Sequence, residues 1–125
     1  MAARTPQDVD HLFAEHVNAG NVEAVVALYE PHATFVPQEG APISGTDGIR
    51  QALAGFAAMK PRLKMNITKT VTVGNDLAVL YNDWTMTAVG PDGKSLDGSG
   101  KSIEIVRRQP DGSWRFVLDD PFARG

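Results

Sequence analysis

The stretch Leu77-Ala78-Val79-Leu80-Tyr81-Asn82-Asp83-Trp84-Thr85-Met86-Thr87-Ala88-Val89 decides the fold. Successive side chains of an extended chain point to opposite faces, so Val79, Tyr81, Asp83, Thr85 and Thr87 share one side while Leu80, Trp84 and Met86 share the other. Gly74-Asn75-Asp76 and Pro91-Asp92-Gly93 bracket the stretch and tolerate the backbone angles of tight reversals. It reads as a long strand of an antiparallel meander. Neighbouring strands are expected over Lys64–Val73 and Lys101–Arg108, and a last one over Trp114–Asp119, after the turn Pro110-Asp111-Gly112.

Upstream the period is helical. Thr5-Pro6-Gln7-Asp8 supplies a hydroxyl cap, a proline for the first helical position and an acid three residues after the cap. The helix it opens runs to Gly20, with Val9, Leu12, Phe13, His16 and Val17 on one face and Asp8, Asp10, Glu15 and Asn18 mostly elsewhere. Asn21 caps a second helix in which Val22, Val25, Val26 and Tyr29 form the buried stripe before Pro31 ends it. Ala33–Val36 is a short strand stopped by Pro37, and Thr46-Asp47 opens a third helix with Ile49, Leu53 and Phe56 at i, i+4 and i+7, closed by Pro61. Helices first and strands afterwards is the order of an α+β domain, not of a parallel sheet. The 125 residues fit one domain, over 1–125.

Composition narrows the chemistry. Twelve basic and fifteen acidic residues are interspersed, giving a net charge of −3 and no basic face for nucleic acid. The absence of cysteine excludes disulfides, thiolate metal sites and a cysteine nucleophile. No apolar run is long enough to span a bilayer, so no membrane partner is expected; no signal core is visible at the start, and the chain reads as cytoplasmic. His11, His16 and His32 are scattered without metal-ligand spacing, and no cofactor fingerprint is present. Acid–base chemistry or plain binding remains.

Three stretches resemble the SnoaL-like and ketosteroid isomerase-like superfamily that also includes nuclear transport factor 2. They are Asn18-Ala19-Gly20-Asn21 leading to Ala27–Thr34, Ile43–Ile49, and Asp111-Gly112-Ser113-Trp114-Arg115-Phe116. The resemblance implies a cone-shaped, curved antiparallel sheet covered on its concave face by three N-terminal helices, an apolar pocket, and a homodimer formed through the sheet. Fold alone does not choose among the isomerases, cyclases, dehydratases, hydrolases and non-catalytic members of such a group. The ketosteroid isomerase catalytic set is not retained: its tyrosine position falls on Phe13, its base position in Val36-Pro37-Gln38, and only its late-strand acid is matched, by Glu104. The arginine-containing set of the epoxide hydrolase variant is also incomplete around Tyr81-Asn82-Asp83.

Asp83, Glu104 and Asp119 lie on three strands, and alternation groups each with polar or small neighbours, opposite Leu80, Trp84, Met86, Ile103, Ile105, Phe116 and Leu118. Either the acidic face lines the pocket and the apolar set meets a second subunit, or the apolar set packs under the helices and the acids sit in water. The resemblance favours the first, because it places Glu104 and Asp119 at cavity positions. The expectation is an acid–base enzyme acting on an apolar carbonyl, hydroxyl or epoxide compound, with Asp119, Asp83 and Glu104 handling the proton and Tyr81 orienting the substrate. Phe13, Val17, Tyr29, Phe35, Leu53, Phe56, Val106 and Val117 are the expected ligand contacts. The alternative is a non-catalytic ligand-binding or dimerisation module.

Overall fold

The computed structural model describes residues 2–125, which contain three helices and seven strands. Helix α1 (Pro6–Asn18) starts at the expected cap: Thr5 Oγ1 accepts from the Asp8 N–H at 3.3 Å and Asp8 Oδ2 accepts from the Thr5 N–H at 3.1 Å. Helix α2 (Val22–Val26) is capped by Asn21, whose Oδ1 accepts from the Ala24 N–H at 3.2 Å. It is shorter than its apolar stripe suggests. Pro31 disfavours helical backbone at the residue before it, and the chain has already left the helix when Tyr29 opens strand β1 (Tyr29–Phe35). Tyr29 is therefore a strand residue and not the end of a helical stripe. Strand β2 (Ile43–Ser44) pairs with β1, and α3 (Thr46–Ala58) is entered through Gly45 at φ 90°, a conformation that favours glycine.

The remaining strands are β3 (Arg62–Lys64), β4 (Ile67–Val73), β5 (Leu77–Val89), β6 (Ser95–Arg108) and β7 (Trp114–Asp120). They form one curved, unclosed sheet in the order β2-β1-β7-β6-β5-β3, with β4 further along β5. Among the described residues only β1 and β7 run parallel. Helix α1 lies against β3, β5, β6 and β7, and its Val9, Leu12, Phe13 and Val17 join Ile49, Leu53, Leu80, Val106 and Phe116 in the core. Burial of that apolar surface is the main stabilising term.

Besides β1, which runs over Tyr29–Phe35 where Ala33–Val36 was expected, two strand assignments differ from the sequence expectation. The single strand Lys64–Val73 is two, because at Asn66 the backbone turns to Asn82: the Asn66 N–H donates to Asn82 Oδ1 at 2.7 Å and the Asp83 N–H donates to the Asn66 carbonyl at 2.8 Å. Strand β6 begins six residues before Lys101, through a Gly98-Ser99-Gly100 segment that carries no apolar alternation. Its glycines leave room for large partners: Gly98 stands opposite Met86, and Gly100 opposite Trp84.

Register settles which way each strand faces, since directly opposed residues share a face. Leu80 is opposite Glu104, Asn82 opposite Ser102, and Tyr81 opposite Ile103. The concave face thus combines Leu80, Asn82, Trp84 and Met86 with Ser102, Glu104 and Val106, while Val79, Tyr81, Asp83, Ile103 and Ile105 lie on the convex face. On β7 the pairing slips, with Val106 opposite Phe116 but Ile105 opposite Leu118, so Val117 is an extra residue. This bulge turns both Phe116 and Asp119 inward. The clean division into an acidic and an apolar face is corrected accordingly: Leu80, Trp84, Met86 and Phe116 do not face outward, and Asp83 does not face inward.

Candidate active site

Between α1, α3 and the concave sheet lies a cavity of about 250 Å³. Its wall is apolar and aromatic, with Phe13 from α1, Leu53 and Phe56 from α3, and Trp84 and Phe116 from the sheet. Trp84 is held in place by donating Nε1–H to the Pro121 carbonyl at 2.8 Å, and Phe122 meets its ring edge-on at 5.3 Å between centroids. Three carboxyl groups interrupt this wall: Asp10, Glu104 and Asp119 are 0%, 2% and 6% exposed. Among the described residues no lysine, arginine or histidine lines it.

Glu104 and Asp119 stand opposite one another on β6 and β7. Tyr29, behind the wall on β1, donates its hydroxyl to Asp119 Oδ2 at 2.5 Å and packs against Phe116 and Phe13 at 4.8 and 6.5 Å between centroids. Burial pushes Asp119 up to about 7, against the hydrogen bond from Tyr29, which favours the carboxylate. Burial and the negative charge of Asp119 likewise hold the Tyr29 phenol well above its ordinary value, so it remains a donor.

Asp10 and Glu104 behave as a pair. None of their four oxygens meets an N–H or hydroxyl donor from the described residues. The remaining hydrogen bond is the one the two carboxyl groups make to each other when one is protonated, and in that sense they share a proton. Burial first, then the charge of Asp10, raises Glu104 well above the carboxylate range, while burial brings Asp10 up to about 6. Of the two, Glu104 holds its proton the more tightly. The site therefore places an acid that holds its proton tightly beside a carboxyl that titrates at about 7.

Of the four residues expected to act on a substrate, Glu104 and Asp119 come together and two do not. Asp83 is on the convex side, where its Oδ1 accepts from Arg124 Nη2 at 3.1 Å, and Tyr81 lies beneath the Arg124 guanidinium, 5.3 Å from its ring centroid. Their parity on β5, opposite to that of Trp84, takes them away from the cavity. Phe13, Phe35, Leu53 and Phe56 line the cavity; Val17, Tyr29 and Val106 are buried behind it, and Val117 is displaced by the bulge it forms. Asp10 was missed. Its signal was present, since Asp10, Phe13 and Val17 are spaced i, i+3 and i+7 along one helical face.

Residues 9–117 match the SnoaL-like domain family, and no curated protein sequence matches the chain. Solved structures share the architecture. A protein from Xanthomonas campestris, provisionally described as a calcium/calmodulin dependent protein kinase II association domain, is 19% identical, with 99% of this chain and 96% of that chain covered and a TM-score of 0.82. A ketosteroid isomerase-like protein from Erwinia carotovora atroseptica is 15% identical, with 90% and 88% covered and a TM-score of 0.81. A provisional dehydratase of the NTF2-like family from Streptomyces avermitilis is 17% identical, with 90% and 89% covered and a TM-score of 0.74. At these identities the likeness is one of fold.

Proposed function

The chain belongs to the SnoaL-like domain family, and from that premise we propose that it is an acid–base enzyme that moves a proton on a small apolar substrate held in the cavity. The observation that carries this reading is the buried Asp119 carboxyl, hydrogen-bonded to Tyr29, titrating at about 7 and facing Glu104, whose carboxyl burial raises well above its ordinary range, across one strand pair. A base with that pKa is half ionised at neutral pH yet strong enough to take a proton from an activated C–H. In this reading Glu104 gives a proton to an oxygen on the same substrate. In an isomerisation the two steps move a double bond; in a dehydration the C–H and C–O bonds break and water leaves. The provisional dehydratase assignment of the Streptomyces avermitilis protein is compatible with the second.

A neutral aromatic carbon acid tests the base without knowledge of the natural substrate. 5-Nitrobenzisoxazole opens when a base removes its C3 proton and the N–O bond breaks, giving a coloured phenolate. The reading expects catalysis well above that of a carboxylate in water, rising with pH through about 7 and lost in Asp119→Asn. A rate equal to that of free acetate, or one indifferent to Asp119→Asn, overturns it.

The convex face fits a second copy of the chain. Val79, Tyr81, Ile103, Ile105 and Leu118 are only partly covered there, and a homodimer across this surface would remove them from water. Sedimentation at micromolar concentration is expected to give twice the chain mass; a monomer overturns the pairing.

A further inference from the structure

Buried polar groups in native proteins nearly always find a partner, and here most of them do. Asn82 Oδ1 accepts from the Asn66 N–H, the Ser102 hydroxyl donates to the Asn82 carbonyl at 3.2 Å, and Asp119 has Tyr29. The exceptions are concentrated in one place. Asp10 Oδ1 and Oδ2 and Glu104 Oε1 and Oε2 are buried, lack any donor among the described residues, and belong to residues of the cavity wall. Leaving charged oxygens in that condition is unfavourable unless something supplies hydrogen bonds and positive charge.

We propose that the cavity takes a small apolar amine, bound as its ammonium ion on Asp10 and Glu104. The proposal rests on the reading of this cavity as a substrate site, and it names the class of substrate. One proton shared between Asp10 and Glu104 leaves the pair with a single negative charge, which one ammonium neutralises. The ammonium also brings N–H donors to oxygens that have none. A neutral carbonyl compound brings only acceptors; it can use the one shared proton and leaves the other oxygens as they were. An anion meets three carboxyl groups and, among the described residues, no cationic side chain. Among the described residues no cluster has the arrangement to hold a metal ion, so the missing positive charge is better matched by an organic cation. The walls suit it as well: Phe35, Phe56, Trp84 and Phe122 offer apolar surface and aromatic rings, whose faces attract cations. The volume of about 250 Å³ accommodates one ring with a short chain.

The test compares three probes of nearly equal shape on the full chain at neutral pH: 2-phenylethylamine, its uncharged isostere propylbenzene, and the anion 3-phenylpropanoate, with binding followed by amide chemical shifts. The amine is expected to bind about tenfold or more tightly than either of the others. In Asp10→Asn that preference disappears while propylbenzene affinity is retained, which also reports that the variant is folded. Equal affinity for amine and propylbenzene, no saturable binding of the amine at millimolar concentration, or an amine preference unchanged in a folded Asp10→Asn overturns the proposal. The wild-type comparison decides by itself if that variant does not fold. Retained 5-nitrobenzisoxazole opening without amine preference overturns the ligand class alone; amine preference without that reaction keeps the ligand class and overturns the proposed chemistry.

Discussion

Tyr29 and Asp119 are 90 residues apart in sequence and are joined by a buried hydrogen bond of 2.5 Å from the phenol to Oδ2. The bond opposes the effect of burial: it favours the charged carboxylate and so keeps Asp119 close to neutrality instead of far above it. Tyr29→Phe removes the donor and leaves the ring packing on Phe116 and Phe13 in place. Asp119 is then expected to titrate at higher pH, moving the midpoint of 5-nitrobenzisoxazole opening in the alkaline direction and lowering the rate at neutral pH. A pH–rate profile, checked by carbon NMR of the Asp119 carboxyl, measures this. An unmoved midpoint would mean that burial and the neighbouring carboxylates set the value without the bond.

Stability should fall as pH rises. Asp10 and Asp119 titrate near 3.8 when unfolded but at about 6 and about 7 in the folded chain, so the folded state binds more protons between those limits. Stability is thus fullest below about 4, as far as these groups are concerned, and is lost progressively up to about 7, beyond which their effect levels off. Glu104, also raised, extends the decline toward higher pH. A tenfold change in proton affinity is worth about 1.4 kcal/mol, so the total loss for this coupled set is on the order of a few kcal/mol. Urea denaturation at pH 5 and pH 8 is expected to show the higher midpoint at pH 5; equal midpoints would mean that the carboxyls are better solvated than their burial implies.

Gly100 allows the pocket wall to exist. A Cβ built on it would lie 2.5 Å from Trp84 Cζ2 and 2.8 Å from the Pro121 carbonyl oxygen, the same oxygen that accepts from Trp84 Nε1. Gly100→Ala must therefore move the indole or break its hydrogen bond. The expected cost is about 1–3 kcal/mol, the usual range for overpacking, with an altered near-ultraviolet dichroism signal from tryptophan. An unchanged denaturation midpoint would show that the C-terminal segment yields freely.

Much of this architecture can be read from local chemistry. The Thr5 cap, the Asn21 cap and the limits of Leu77–Val89 are each written in a few adjacent residues, and the structure has them in place. Which face of a strand looks inward is a different kind of information. Alternation says that Asp83 and Trp84 diverge, but the pairing of Leu80 with Glu104 decides that Trp84 goes inward, and that pairing is set by the hairpin around Pro91-Asp92-Gly93. Asp119 reaches the cavity only because Val117 is bulged, and no simple alternation contains a bulge. Asp10 was legible by helical spacing, yet its charge argued for solvent. Burial of an acid against its preference is often the mark of a site, where local rules give way to function.

The convex position of Asp83 separates structural from chemical importance among the acids. Asp83 accepts from Arg124 at 3.1 Å, in a pair whose side chains are 39% and 28% exposed, and Arg124 also donates to the Ser102 carbonyl at 3.1 and 3.2 Å. Asp83→Asn keeps the size of the side chain and removes a partly exposed ion pair, a change worth about 0–1 kcal/mol. The tie of Arg124 to the Ser102 carbonyl survives it, so the C-terminal segment stays anchored and Phe122 stays against Trp84. The opening of 5-nitrobenzisoxazole and its pH midpoint should then match the parent chain to within about twofold. Asp10→Asn, by contrast, removes a negative charge that raises Asp119 and should move the midpoint in the acid direction. If Asp83→Asn instead shifts the midpoint as Asp10→Asn does, the convex carboxylate is coupled to the cavity, and the assignment of the chemistry to the inward acids alone is wrong.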